Sequence, residues 1–199
     1  MNGLVKTLLV LGIIALAFMG GCNYVKNTFN SMVDKQEEVN KAWSDVESVY
    51  QRRADLIPNL VLVVKGAANF EQSTLTAVIE ARAKATSITI DPSKATPQQL
   101  KQFTEAQQGV QSALSRLMVV VEKYPELKAN KNFSDLQVQL EGSENRITVE
   151  RRKFNDAARE YNRYIRRFPN NFLTGFGNFQ PRAYFEADKG AEKAPEIKF

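Results

Sequence analysis

VNKAWSDVESVYQRRADLIPNLVLVVKGA, residues 39 to 67, decides the fold. Within it Val39, Trp43, Val46, Tyr50, Arg53, Ile57, Leu60, Val64 and Ala67 recur at alternating spacings of four and three. That alternation puts them all on one helical stripe, the seam of a helix packed lengthwise against its neighbours. Pro58 lies inside the stretch, and an interior proline removes a hydrogen bond and crowds the preceding turn. The seam keeps its phase on both sides of Pro58. It therefore predicts one long, kinked helix over roughly residues 24 to 67 rather than two helices and a turn.

The same reading extends downstream. Gly66 and Asn69 supply a turn, after which Leu75, Val78, Ile79 and Arg82 mark a second, shorter helix to about Thr86. ITIDPSKAT, residues 88–96, is polar and proline-bearing and reads as a loop. Thr96 is placed as the N-cap of a third helix, with Pro97 at its first position and Gln99 completing a capping box. Its stripe is Leu100, Phe103, Gln107, Val110, Leu114, Leu117, Val121 and Tyr124, ended by Pro125. A fourth helix is predicted to start at Ser134, with Gln137 as its capping-box partner, and to run to about Phe168. Its seam is Leu136, Leu140, Glu144, Ile147, Arg151, Phe154, Ala158, Tyr161, Ile165 and Phe168. No period-two alternation competes. The expected fold is all-α, an antiparallel up-down-up-down four-helix bundle with a long kinked first helix.

Ahead of the bundle stands an apolar run, Leu8 to Gly21, followed directly by the only cysteine, Cys22, within FMGGCNYVK, residues 18–26. As a helix it spans about 21 Å, short of the roughly 30 Å of a bilayer core. With Lys6 before it and Gly20 and Gly21 at its end, just before the cysteine, the run suits the apolar region of a signal peptide. FMGGC also resembles a bacterial lipobox, with Met19 where leucine is usual, which makes Cys22 a candidate for lipidation. The alternatives are a transmembrane anchor, extended by Leu4, Val5, Tyr24 and Val25, and cleavage to a soluble form. The chain thus divides into a signal or anchor segment (1–22), the bundle (23–169) and a tail (170–199) that is aromatic and then, from residue 187, expected to be disordered.

Composition removes many function classes. The chain has no histidine, which excludes the usual general base, the usual zinc ligand and Ser-His or Cys-His nucleophiles. The net charge of +5 is thinly spread: residues 26–84 carry eight basic and eight acidic side chains. Local basic density occurs only in RYIRRF, where Arg163, Arg166 and Arg167 suit the C-terminus of a helix. No nucleic-acid-binding signature accompanies them. No catalytic residue, metal site or cofactor is expected.

Two groups of residues remain candidates for function. Arg53, Gln107, Glu144 and Arg151 occupy seam positions that should be apolar, and Arg82 falls at a similar height. A polar layer follows, in which Glu144, with Glu80 or Glu141, neutralises Arg53 or Arg151, because a buried charge without a partner costs several kcal/mol. Such a layer fixes helix register or, alternatively, lines a small-ligand pocket. The second group is set by direction. If helix one leaves a membrane, helix four returns to it. Arg163, Arg166 and Arg167 and the tail aromatics Phe172 and Phe176 would then face lipid headgroups or an anchored neighbour, each basic group worth about 1 kcal/mol at an anionic surface. In the alternative, Phe172, Phe176, Phe179, Tyr184 and Phe185 fold back onto the bundle.

KAWSDVESVYQRRADLIPNLVLVVKGAANFEQSTLTAVIEARAKA and LEGSENRITVERRKFNDAAREYNRYIRRFP, in that order, closely resemble the LemA family of bacterial proteins, over roughly residues 29 to 185. The resemblance implies an antiparallel helical bundle tethered by an apolar N-terminal segment, and it brings no catalytic residues. The expectation is a non-enzymatic, membrane-anchored scaffold or adaptor in the bacterial envelope, more often facing outside the cytoplasm. Its expected partners are the membrane, other envelope proteins and a second copy of itself, and no nucleic acid. The alternative is a sensor or small-ligand module using the Arg/Glu layer.

Overall fold

Seam residues Val39, Val46, Leu60 and Val64 are completely buried, and Trp43 and Ile57 nearly so. They lie on α1, Gly3–Lys65, one helix that passes through Pro58 without interruption. The computed structural model describes residues 3–67 and 70–186 of the chain. After α1 come α2 (Gln72–Thr86), α3 (Pro97–Val121), a single turn α4 (Pro125–Lys128) and α5 (Lys131–Arg166). Two 3-10 turns, Asn170–Phe172 and Thr174–Phe176, then lead into an extended segment to residue 186. Among the described residues there is no strand. The fold is an all-α bundle of four long helices.

α1 packs chiefly on α5, and α2 packs on both α3 and α1. The α1–α5 pairing is antiparallel, since Lys35 lies over Tyr164 and Arg53 meets Glu144. Local signals set the helix ends. Thr96 and Gln99 form the expected capping box in front of α3, with Pro97 in the first turn. For α5 the sequence expectation fails: Asn130, not Ser134, is the N-cap, its side chain accepting from the Asn132 and Phe133 amides. The helix therefore begins one turn early, and it buries Phe133 in continuation of the seam.

The core falls into two clusters. A cluster nearer the apolar N-terminal part of α1 surrounds Trp43, whose ring lies 5.7 Å from Phe103, 5.4 Å from Phe154 and 5.9 Å from Phe185. A distal cluster joins Ile57, Leu60, Leu75, Leu117 and Leu140. Each such buried side chain contributes about 1.5–3 kcal/mol. Three details differ from the pattern read above. Ile79 is 44% exposed because α2 turns Leu75 and Val78 inward instead. Ile90, in the polar-looking loop, is buried beneath it. Phe168, at the end of the predicted seam, is exposed because α5 stops at Arg166. Asn69 and the expected disordered stretch 187–199 lie outside the described residues.

Candidate functional site

Arg53 sits on the α1 seam between Tyr50 and Ile57, one residue of each cluster, and is 2% exposed. Gln107 and Glu144 occupy the matching gaps on α3 and α5. These three meet. Arg53 Nη1 donates to Glu144 Oε1 in an ion pair, and Arg53 Nη2 donates to Gln107 Oε1 at 2.6 Å and to the Gln107 carbonyl at 3.2 Å. A polar layer one residue thick per helix thus separates the two hydrophobic clusters. Sliding any of the three helices by one turn would leave the guanidinium buried without its partners, so the layer fixes register. Arg53 also borders open clefts of about 440 and 380 Å³ on either side. Its two Nη groups face Glu144 and Gln107, and the Glu144 side chain, 32% exposed, lines the second cleft.

The other two residues expected in this layer do different work. Arg82, on α2, donates from Nε to the Ala54 carbonyl at 2.7 Å. Ala54 is four residues before Pro58, so its carbonyl is the acceptor for which proline has no N–H. Arg82 supplies that missing donor and lets α1 run through Pro58. Arg151 turns toward the tail instead, donating to the Glu186 carbonyl at 3.2 Å with its guanidinium 4.9 Å from the Phe185 ring centroid. Glu80 and Glu141 are exposed and take no part in the layer.

The tail is strapped to α5 by two asparagines that sequence reasoning passed over. Asn155 donates to the Phe185 carbonyl at 2.9 Å and accepts from the Phe185 amide at 2.8 Å. Asn162 does the same for Arg182, at 2.8 and 2.7 Å, and also donates to Tyr184 Oη at 2.7 Å. Each carboxamide pairs with an extended backbone much as a neighbouring strand would. Their spacing of seven residues, two helical turns, was the available signal. Arg182, itself buried, reaches across to the Pro92 and Ser93 carbonyls and lies over the Tyr161 ring. In that loop, hydrogen bonds from the Ser93 hydroxyl and then its backbone hold the Asp91 carboxyl below the usual range. Burial pushes the Tyr161 phenol up, opposed by the Arg182 charge.

At the base of the bundle the tail aromatics divide. Phe179 and Phe185 are buried, with Phe179 edge-on to Phe29 at 5.3 Å, and Tyr184 is 38% exposed. A side chain at Gly177 would meet the Phe179 ring within 2.3 Å, so this packing requires glycine. Phe172 and Phe176 remain exposed, as do Arg163, Arg166 and Arg167. Arg163 pairs with Glu160, and Arg166 donates to the Asn162 carbonyl at 3.0 Å. Cys22 is exposed on the unbroken α1. No group of three or more metal-ligating side chains occurs among the described residues.

Comparison with known proteins places this architecture. The LemA family model matches residues 42–199. Magnetosome protein MamQ 1 of Paramagnetospirillum magneticum is 29% identical, over 98% of this chain and 77% of the relative. MamQ of Magnetospirillum gryphiswaldense is 27% identical over 95% and 75%, and Protein LemA of Metamycoplasma hominis is 26% identical over 80% and 69%. A match over most of the length, covering both motif blocks and the strapped tail, shows that this chain belongs to the LemA family.

Proposed function

We propose that the protein is a non-enzymatic, membrane-anchored helical rod that serves as a scaffold or adaptor for other proteins of the bacterial envelope. One observation carries this reading: the apolar N-terminal segment and the bundle's main helix are the same helix. Its first part contains a stretch of 18 residues with mean hydropathy 2.1, none of it buried, long and apolar enough to cross a membrane. Nothing in the bundle covers that stretch, so a bilayer is the medium that would. The relatives named for the magnetosome and the one named only LemA share the sequence over most of this chain. What they support in common is the membrane-associated bundle, not a particular cargo.

A continuous helix makes a stiff connection. From Tyr24 to Lys65 it projects the distal end about 60 Å from the membrane at 1.5 Å per residue. A rod of that length, with its long faces exposed, suits holding other proteins at a set height. Attachment takes one of two forms. Acylation of Cys22 removes residues 1–21 and places the bundle outside the cytoplasm, the form that FMGGC supports, whereas an intact N-terminus makes a single-pass protein in which the apolar segment and the bundle stay one helix. Mass spectrometry of the mature N-terminus separates them. The scaffold role is tested by mild crosslinking and affinity capture from native membranes, where discrete envelope proteins are expected. Recovery of the bare protein alone counts against it.

A further inference from the structure

Phe168, Phe172 and Phe176 are 81%, 68% and 83% exposed, although Phe179, three residues on, is 5% exposed. Phe168 and Phe172 are stacked edge to face, 5.8 Å apart. The tail thus presents three consecutive aromatic side chains outward, Phe168 in the turn after α5 and Phe172 and Phe176 on the two 3-10 turns, while burying the next. Their position is fixed relative to the point where the apolar part of α1 ends. Tyr24 Oη donates to Asn170 Oδ1 at 2.8 Å, and Asn170 Nδ2 donates to the Tyr164 carbonyl at 3.1 Å. Asn170 is itself 7% exposed, and the Phe29–Phe179 contact closes the junction just above it. Arg163, Arg166 and Arg167 crown the last turn of α5 immediately before the three phenylalanines.

We propose that this base is a lipid seat: Phe168, Phe172 and Phe176 enter the headgroup–acyl boundary beside the anchor, and Arg166 and Arg167 meet anionic headgroups. The occupant follows from continuity and charge. The exposed aromatics lie beside the end of the exposed apolar span, at the level of Tyr24, where both an acylated Cys22 and a spanning helix would emerge from the bilayer. Aromatic side chains below and guanidinium groups above match the polarity gradient of an anionic leaflet. The inference rests on the membrane-anchored reading above and adds a second attachment, which would hold the rod at a fixed tilt rather than leave it to swing.

The test uses the full-length chain in vesicles of phosphatidylcholine and phosphatidylglycerol with brominated acyl chains. Native Trp43 lies about 29 Å along the helix from Tyr24 and sets the unquenched baseline. F176W should add emission that brominated lipid quenches, and V119W, at the distal end, should add emission that it does not. Quenching of F176W should weaken in vesicles of phosphatidylcholine alone, and R166Q/R167Q should remove that difference. Co-flotation with vesicles reports the anchor separately. Flotation without quenching of F176W overturns the seat and leaves the anchor standing, and loss of flotation overturns both. Unquenched F176W emission that instead follows the protein-to-lipid ratio assigns the face to a second copy and also overturns the seat. Equal quenching in neutral vesicles overturns the role given to the arginines.

Discussion

Replacing Asn162 by alanine should release the tail. Asn162 is 2% exposed and makes three hydrogen bonds: it accepts from the Arg182 amide at 2.7 Å and donates to the Arg182 carbonyl at 2.8 Å and to Tyr184 Oη at 2.7 Å. Alanine leaves a buried N–H and a buried C=O unpaired, at about 1–3 kcal/mol each, so about 2–6 kcal/mol in total. That is a large share of the 5–15 kcal/mol typical of a domain. The structure can limit the loss by letting the segment around Arg182 detach, which draws Phe185 off Trp43. N162A should therefore melt about 4–24 °C lower, at roughly 2–4 °C per kcal/mol for a chain of this size. It should also show red-shifted Trp43 emission and tryptic cleavage after Arg182, a bond protected in the parent. Unchanged melting with Arg182 still protected would refute the strap.

Three further predictions follow from the bundle. E144A leaves Arg53 charged and buried; breaking a buried pair costs about 3–5 kcal/mol, and the 32% exposure of the Glu144 side chain lowers this to about 2–3. The double variant R53L/E144L should unfold at higher denaturant than E144A, and the reverse order would show that the layer does not act as a compensated pair. R82M strips the Ala54 carbonyl of its donor and should cost about 1–3 kcal/mol in chemical denaturation. Adding P58A restores an N–H four residues on, so P58A/R82M should recover most of the loss, and a failure to recover would break the link between Arg82 and the proline. For Tyr161, the folded phenol sits above its ordinary value of 10.0, so the unfolded chain loses the proton first. Stability should be flat below that pH, fall as pH rises through it, and level off beyond the folded value. Y161F should abolish the fall in alkaline melting curves at little cost near neutrality, since Tyr161 Oη has no hydrogen-bond partner among the described residues. An unchanged alkaline slope would remove Tyr161 from the account.

Much of this was legible because the bundle is built by repetition. Alternating spacings of three and four placed Trp43, Leu117, Phe154 and their neighbours in the core, and the interruptions at Arg53, Gln107 and Glu144 stood out against that rhythm. That Glu144 would pair with Arg53 or Arg151 followed from the cost of a lone buried charge, but which of the two, and the bond to Gln107, did not. Arg82 was placed in the wrong company because its partner is a backbone carbonyl. Pro58 announces that Ala54 lacks a donor, but not which helix will supply one. The roles of Asn155 and Asn162 were hidden because a carboxamide beside a seam looks like any solvated polar residue until an extended segment is laid against it. The tail aromatics posed an either-or question, lipid or bundle, and the aromatics divide: Phe179 and Phe185 pack inward while Phe168, Phe172 and Phe176 stay exposed. The split depends on the turns after Pro169, which no helical periodicity describes. Asn130 outcompeted Ser134 as a cap because its carboxamide accepts from two amides at once and brings Phe133 under cover.

Amide hydrogen exchange across residues 18–35 of the full-length protein in lipid vesicles tests the central claim, that membrane segment and bundle share one unbroken helix. Slow exchange running without a gap from Phe18 in the spanning form, or from Cys22 in the acylated form, through Tyr24 to Met32 is the predicted result. A fast-exchanging window around residues 22–27, between protected flanks, would reveal a flexible tether and contradict the rigid rod.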